Sequence, residues 1–170
     1  MAAAPTRRSR SAANKYLTLV LAKEHYGIPI LKVQEIIGVQ EITPVPRMPP
    51  EVRGVINLRG KVIPVIDLRL RFGFPAAADT KRTCIIVVQL SPAPGSPADA
   101  PPIIMGAVVD QVSEVQDIAP DQIEPAPSFG NTAKDSAAIA GVGKVGKRVV
   151  MILNIDQALG REAVVLVTAA

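Results

Sequence analysis

The stretch 53–73, RGVINLRGKVIPVIDLRLRFG, decides the fold. It reads as an apolar segment, a short basic turn and a second apolar segment, which is the pattern of a β-hairpin. A second stretch, 140–160, AGVGKVGKRVVMILNIDQALG, lies over it without a gap, and Gly73 and Gly160 close the two alike. The match extends outward. YGIPILKVQEI (26–36) lies over MGAVVDQVSEV (105–115), with glycines in register, Val33 over Val112 and Glu35 over Glu114. EITPVP (41–46) lies over QIEPAP (122–127), with both prolines aligned. YLTLVLA (16–22) and CIIVVQL (84–90) supply the strand before each copy. The chain therefore reads as two copies of one strand-rich unit of about 70 residues. Many short strands with Gly and Pro punctuation predict small barrels.

Composition agrees. In 170 residues, 48% are apolar but only 3% aromatic, with no Trp. The core must be aliphatic, and the abundant Val and Ile favour pleated surfaces. KEH (23–25) reads as a turn, with His25 exposed, and LKVQEII (31–37) as either a helical turn or a continuing strand. DLRLRFG (67–73) predicts one or two helical turns stopped by Gly73. The proline-rich segment 91–102 lies between two strand candidates, so it is expected to be an elongated hairpin loop rather than a domain linker.

Several function classes are disfavoured. One cysteine, Cys84 in a strand candidate, allows no internal disulfide, and with one histidine it builds neither a zinc site nor a Cys–His nucleophile pair. No apolar run approaches the length needed to span a bilayer, and the start of the chain has no secretory h-region. The net charge is +4, and residues 1–15 hold three Arg and one Lys without an acid, so the remainder is nearly balanced. With few aromatics for stacking, a nucleic-acid-binding barrel is a weak reading. GVGKVG (141–146) matches a glycine-rich phosphate loop, yet it leads into a strand pattern and overlays the other hairpin. Asp110, Glu114 and Asp117 read as a solvated strand face. No nucleophile–base–orienter set is visible, so the expectation is a protein that is not an enzyme and takes no cofactor.

Where the copies differ, one may have a task of its own. The tip of the first hairpin is NLRG (57–60); the second has KVGK (144–147). The fold thus does not demand Asn57 or Arg59, nor Pro64, which Met151 replaces. Two readings of the tip stand: a solvated basic turn, or a contact point where an Arg beside a Gly turn offers a planar donor fork to another protein.

EHYGIPILKVQEI (24–36), RGVINLRGKVIPVIDLRLRF (53–72), VVDQVSEV (108–115) and QIEPAPSF (122–129) together resemble the CheW family of bacterial chemotaxis adaptors, from about Tyr16 to Val167. The resemblance implies an all-β fold: two SH3-like five-stranded β-barrels packed around a shared core, with short helical turns. It implies a basic tail at 1–14 and a CheW-like domain at 15–168, the first repeat near 15–75 and the second near 83–168, with strands that can cross between barrels. It implies a non-catalytic adaptor in the cytoplasm, recruited to receptor arrays at the inner membrane without inserting into it. The partners would be the regulatory domain of a CheA-type histidine kinase, the cytoplasmic tip of chemoreceptors, and other CheW-like proteins in rings. A chemosensory system that drives pili or development is the alternative to a flagellar one. Carried onto this sequence, receptor contact falls to Val33, Glu35, Ile36, Asn57, Arg59 and Gly60. Glu35 has a second reading as a fold position, since Glu114 matches it. Kinase contact would fall to exposed apolar residues on barrel edges, near Val39, Ile42, Ile118 and Ile123. The insertion at 91–102 departs from the common pattern but removes no motif residue.

Overall fold

A computed structural model describes residues 14–75, 78–92, 95, 97–125 and 138–159. Eleven strands lie within them: β1 (Lys15–Leu21), β2 (Glu24–Pro29), β3 (Val33–Gly38), β4 (Val52–Leu58), β5 (Lys61–Asp67), β6 (Cys84–Leu90), β7 (Ile103–Val109), β8 (Gln111–Asp117), β9 (Ile123–Glu124), β10 (Ile139–Val145) and β11 (Arg148–Leu153). The helices are single turns, Leu68–Arg71 after β5 and Ile155–Ala158 after β11, with 3₁₀ turns at Ile30–Lys32 and Pro120–Gln122. The fold is all-β. None of the described helices is long and apolar enough to cross a membrane.

The strands form two sheets, ordered β3-β6-β7-β5-β4 and β8-β1-β2-β11-β10-β9. Overlaying the sequence copies makes β8 the counterpart of β3, β1 of β6, β2 of β7, β11 of β5 and β10 of β4. The two orders are then the same, except that the second sheet has a sixth, two-residue strand where five were expected. Each sheet takes its inner strand pair from the other copy. β5 runs parallel to β7 with Val65 opposite Gly106, and β11 runs parallel to β2 with Ile152 opposite Gly27. The chain is thus built from two units that exchange their first two strands.

Small irregularities repeat as well. β4 slips register between Val52 and Gly54 against β5, and β10 slips between Ile139 and Gly141 against β11. At that bulge each strand meets the extended segment before it: Thr43 and Val55 exchange two backbone hydrogen bonds of 2.9 Å, and Val142 pairs with Glu124. Gly54 is at φ +139°, and a Cβ there would collide with the Thr43 carbonyl; a Cβ on Gly141 would lie 2.9 Å from the Glu124 carbonyl. Glycine is needed at both places because the neighbouring backbone occupies the side-chain position.

The apolar residues divide among three clusters. The largest lies between the sheets and includes Leu17, Leu19 and Leu21 of β1, Ile86, Val88 and Leu90 of β6, and Met105 and Ala107 of β7. A second lies within the five-stranded sheet, around Ile63, Val65, Ile85, Val87 and Val108. A third lies within the other sheet, around Ile118, Val150 and Ile152. β6 sends Ile85 and Val87 one way and Ile86 and Val88 the other. A strand buried on both faces needs a continuous apolar run, which is why CIIVVQL does not alternate with polar residues. Each such side chain, fully removed from water, contributes about 1.5–3 kcal/mol.

Three local expectations are corrected. The β1–β2 turn is Ala22–Lys23, both at positive φ (50° and 70°), rather than 23–25. His25 therefore sits on β2 opposite Val20, half-buried rather than exposed. Asp110 is not on a solvated strand face: it lies in the β7–β8 turn, where Arg69 donates to Oδ1 (3.1 Å) and the Ala22 N–H to Oδ2 (2.8 Å). Residues 31–37 resolve into the end of a 3₁₀ turn followed by β3. Residues 91–102 connect the antiparallel pair β6–β7, whose register ends at Leu90 opposite Ile103. The GVGKVG glycines belong to the β10–β11 hairpin. Residues 1–13, Ala126, Pro127 and Gly160 lie outside the described residues.

Candidate functional site

The β4–β5 hairpin closes with the two-residue loop Arg59–Gly60, since Leu58 pairs with Lys61. Both loop residues have positive φ, 52° and 86°. This is a type I′ turn, whose twist matches that of the flanking strands. Gly60 suits its position at no steric cost, so it serves the turn itself. Arg59 does not, because a side chain in the left-handed region crowds its own carbonyl. Asn57 braces the turn by accepting the Gly60 N–H on Oδ1 at 2.9 Å. The matching β10–β11 hairpin has Gly146 at φ +60° followed by Lys147, a different turn chemistry on the same strand frame.

Arg59 is held by Glu35. The guanidinium donates from Nη1 and Nη2 to the two carboxylate oxygens at 2.6 and 2.7 Å. Glu35 is on β3, an edge strand of the five-stranded sheet, just past a register shift that separates Val33 from Glu35. Its side chain is 21% exposed, against 71% for Arg59. The fork-to-fork pair fixes the plane of the guanidinium. Among the described residues no other group accepts from it, so its remaining N–H donors face outward. The hydrogen bonds from Arg59 hold the Glu35 carboxyl below the usual carboxylate range, against a smaller opposing effect of burial, and Glu35 in turn raises the Arg59 pKa. The result is a fixed, planar, cationic donor at the tip of a hairpin.

Four of the six receptor-contact expectations thus lie in two contacts, Glu35–Arg59 and Asn57–Gly60. Ile36, 44% exposed, is on the same strand as Glu35. Val33 turns toward the cluster between the sheets and is partly buried. The kinase-side expectation needs correction. Ile118 is fully buried within the six-stranded sheet and cannot be an exposed edge contact. Ile42 and Ile123 are partly buried against the two inner clusters, and Val39 is half-buried. Among the described residues, the exposed large apolar ones are instead Leu31, Ile36, Val62, Val115 and Val149. In the overlay of the copies Ile36 matches Val115 and Val62 matches Val149.

A charged cluster was also missed. Arg69, 2% exposed, donates to Asp67 at 2.9 and 3.0 Å, to Asp110 at 3.1 Å and to Asp79 at 3.3 Å. Arg53 reaches Asp79 at 3.0 Å and Asp67 at 3.4 Å. Hydrogen bonding to Arg53 lowers the Asp79 pKa. Through Asp110 the cluster ties the helix after β5 to the turn of β1–β2, which belongs to the other sheet. Asp156 takes the place of Arg69 in the second copy and pairs with Lys32, beside β3, at 3.5 Å. Arg69 and Asp156 occupy the same place in the repeat with opposite charge, and their partners Asp110 and Lys32 fall one position apart in the overlay. The signal was the short run DLR (67–69), a capping Asp followed two residues on by an Arg, overlaid by NID (154–156) with an acid in the place of Arg69.

This arrangement can hold a partner's carboxylates or carbonyls. It offers no nucleophile beside a base, and no group of three or more His, Cys, Asp or Glu able to hold a metal occurs among the described residues.

Comparison with known proteins agrees. The CheW-like domain family model matches residues 15–163. The chain is 34% identical over 157 residues to the chemotaxis protein CheW of Klebsiella aerogenes, covering 92% of this chain and 88% of that protein. It is 31% identical over 149 residues to the chemotaxis protein CheW of Bacillus subtilis, covering 88% of each. The structure is similar to the crystal structure of the scaffolding protein TtCheW from Thermoanaerobacter tengcongensis, with a TM-score of 0.73 and 34% identity over 87% of this chain and 93% of that one. A family match over most of the length, shared with both sheets in place, leads to one conclusion: this chain belongs to the CheW-like domain family.

Proposed function

We propose that the protein is a non-catalytic coupling adaptor that joins the cytoplasmic tip of chemoreceptors to the regulatory domain of a CheA-type histidine kinase, working in the cytoplasm at receptor arrays. The observation that carries this reading is the Glu35–Arg59 pair at the β4–β5 tip. It spends a carboxylate on orienting a cation that the fold itself does not require, since the equivalent hairpin turns with Gly146. A side chain fixed before the partner arrives loses little entropy on binding. The receptor face on this reading comprises Glu35, Ile36, Asn57 and Arg59 at the surface, with Val33 and Gly60 supporting them. The kinase face lies on the second sheet, where Val115 and Val149 are exposed.

An adaptor contributes binding free energy and geometry. With both partners docked on one rigid body, the second encounter becomes effectively intramolecular. The receptor can then bias the kinase only through a difference in its affinity for the kinase's active and inactive states. The test is titration calorimetry with a kinase regulatory domain and a receptor cytoplasmic fragment, each alone and then together. Simultaneous binding of both to one adaptor is expected. Competition between them for a single site would refute the bridging role.

A further inference from the structure

A groove of about 410 Å³ runs along the β4–β5 tip on the side away from Asn57. Its floor is apolar: Leu58 and Ile63 of the hairpin and Ile104 of β7. Arg59 and Lys61 stand on its rim, and Pro101 and Pro102 form a wall. Those prolines are the last residues of the proline-rich segment 91–102 between β6 and β7.

Three observations make this a built surface. The wall is fixed relative to the tip. Pro101 and Pro102 directly precede β7, whose Ile103 pairs with Leu90, and the other foot of the insertion is anchored by the Ser91 N–H donating to Asp156 at 3.0 Å and by Lys32 donating to the Ser91 hydroxyl at 3.1 Å. Two successive prolines also have their φ angles locked, so little freedom is lost when a partner packs against them. Second, no acid lines the groove among the described residues. The other lining polar side chains are Gln34 and Gln89, and the nearby Glu35 is occupied by Arg59. Lys61 has no ion-pair partner among the described residues, so the rim carries an unneutralised positive charge. Third, the corresponding hairpin tip of the second sheet is charged differently: a groove of about 470 Å³ there is lined by Val145, Gly146 and Arg148, the counterparts of Leu58, Arg59 and Lys61, but also by Glu114, and among the described residues no proline lines it. The two hairpin tips thus differ in the groove beside them, and only the first combines an apolar floor with an acid-free rim among the described residues.

We infer that this groove is a specificity-determining part of the receptor site: it takes a receptor segment with a carboxylate next to an apolar side chain, Lys61 meeting the carboxylate and Pro101–Pro102 packing on the apolar group. The inference rests on the receptor reading of the tip and extends it to residues which that reading does not use. In this arrangement the insertion selects among receptors through its foot, by shape and by rigidity.

The test is the dissociation constant of the full-length protein for a cytoplasmic fragment of a chemoreceptor from the same genome, measured at low and at physiological salt. The variants are Lys61→Glu, the double Pro101→Ser/Pro102→Ser, and Arg59→Ala as the reference for the tip. Circular dichroism melts confirm that each is folded. Lys61→Glu is expected to weaken binding about tenfold at low salt, and less as salt screens the contact. The proline variant is expected to weaken it about threefold at both salt concentrations, by loss of packing and rigidity. A fragment with one acidic tip residue changed to Lys is expected to recover binding to Lys61→Glu. If both groove variants bind like the native protein while Arg59→Ala does not, the groove has no part in recognition and the receptor reading of the tip stands. If Arg59→Ala also binds like the native protein, the receptor reading falls and this inference with it.

Discussion

Glu35 and Arg59 are 24 residues apart in the chain, one on an edge strand and the other in a two-residue turn, and two hydrogen bonds of 2.6 and 2.7 Å join them. The pair lies largely at the surface, where ion pairs add little to stability. Its consequence is orientation: the turn presents one guanidinium in one plane.

Arg59→Gly separates that role from folding. Glycine relieves the left-handed strain at φ 52° and reproduces the turn residue already found at Gly146. The melting temperature is expected to stay within about 5 °C of the native value, while affinity for a receptor fragment falls at least tenfold, as for a removed interface anchor. A thermal scan alongside a binding titration checks both. A large loss of thermal stability would show Arg59 to be a fold residue.

Acid should weaken the fold in a definite range. Glu35 and Asp79 both have pKa values lowered in the folded chain, mainly by hydrogen bonds from Arg59 and Arg53. Each therefore favours the folded state once it is ionised in both states, above the ordinary carboxylate range of about 4. That contribution is lost as pH falls through the ordinary range toward the lowered native values. Urea midpoints are expected to be level from about pH 7 to 5 and to drop below that. The double variant Glu35→Gln/Asp79→Asn should be less stable at neutral pH and fall less steeply in acid.

Arg69 is the most exposed to failure. Replacing it with Met removes both guanidinium hydrogen bonds from Asp67, whose side chain is 4% exposed, and leaves it the backbone N–H of residue 69 at 3.0 Å and the 3.4 Å contact from Arg53. A loss of about 3–5 kcal/mol is expected, as when one partner of a buried ion pair is removed. The double variant Asp67→Asn/Arg69→Met should lose less than Arg69→Met alone, because the carboxylates then left without Arg69, Asp79 and Asp110, are about one-third exposed rather than buried like Asp67. Chemical denaturation of the native protein, Asp67→Asn, Arg69→Met and the double variant gives the coupling.

Strand exchange makes the two copies inseparable. A fragment of residues 14–82 contains β1–β5, but β1 and β2 pair with β8 and β11, and β3 and β5 pair with β6 and β7. All four partners are absent from it. The fragment is expected to show no cooperative thermal transition and poor amide dispersion in an NMR spectrum. A folded fragment would mean that each copy can close on its own strands.

Most of this architecture is legible in the sequence because the repeat is visible, and because β6 and the β4–β5 hairpin obey simple patterns. CIIVVQL needs both faces buried, and the gapless overlay of 53–73 on 140–160 carries the hairpin, the bulge at Gly54 and the following helical turn together. Exchange of strands was not determined by that pattern, since a repeat states what is alike and not which copy pairs with which. The β1–β2 turn was misplaced because Ala22 and Lys23 adopt positive φ without glycine, and tertiary contact, Asp110 on the Ala22 N–H, outweighs local preference there. Ile118 was expected at the surface as an apolar residue on a barrel edge, just past a strand of exposed polar residues. Its backbone N–H instead donates to the Asn14 carbonyl at 2.9 Å and its side chain turns inward. At the site, sequence alone supplied Glu35 and Arg59 as separate candidates. Their contact depends on the register of β3 and the handedness of a type I′ turn, which only the fold determines.

The most direct measurement of the adaptor role is kinase autophosphorylation with a CheA-type kinase and a receptor cytoplasmic fragment on vesicles, with and without this protein. The account predicts receptor-dependent activity that appears only when the protein is added and that Arg59→Gly, folded and stable, fails to restore. Equal receptor control of the kinase in the absence of the protein, or full activity with Arg59→Gly, would contradict it.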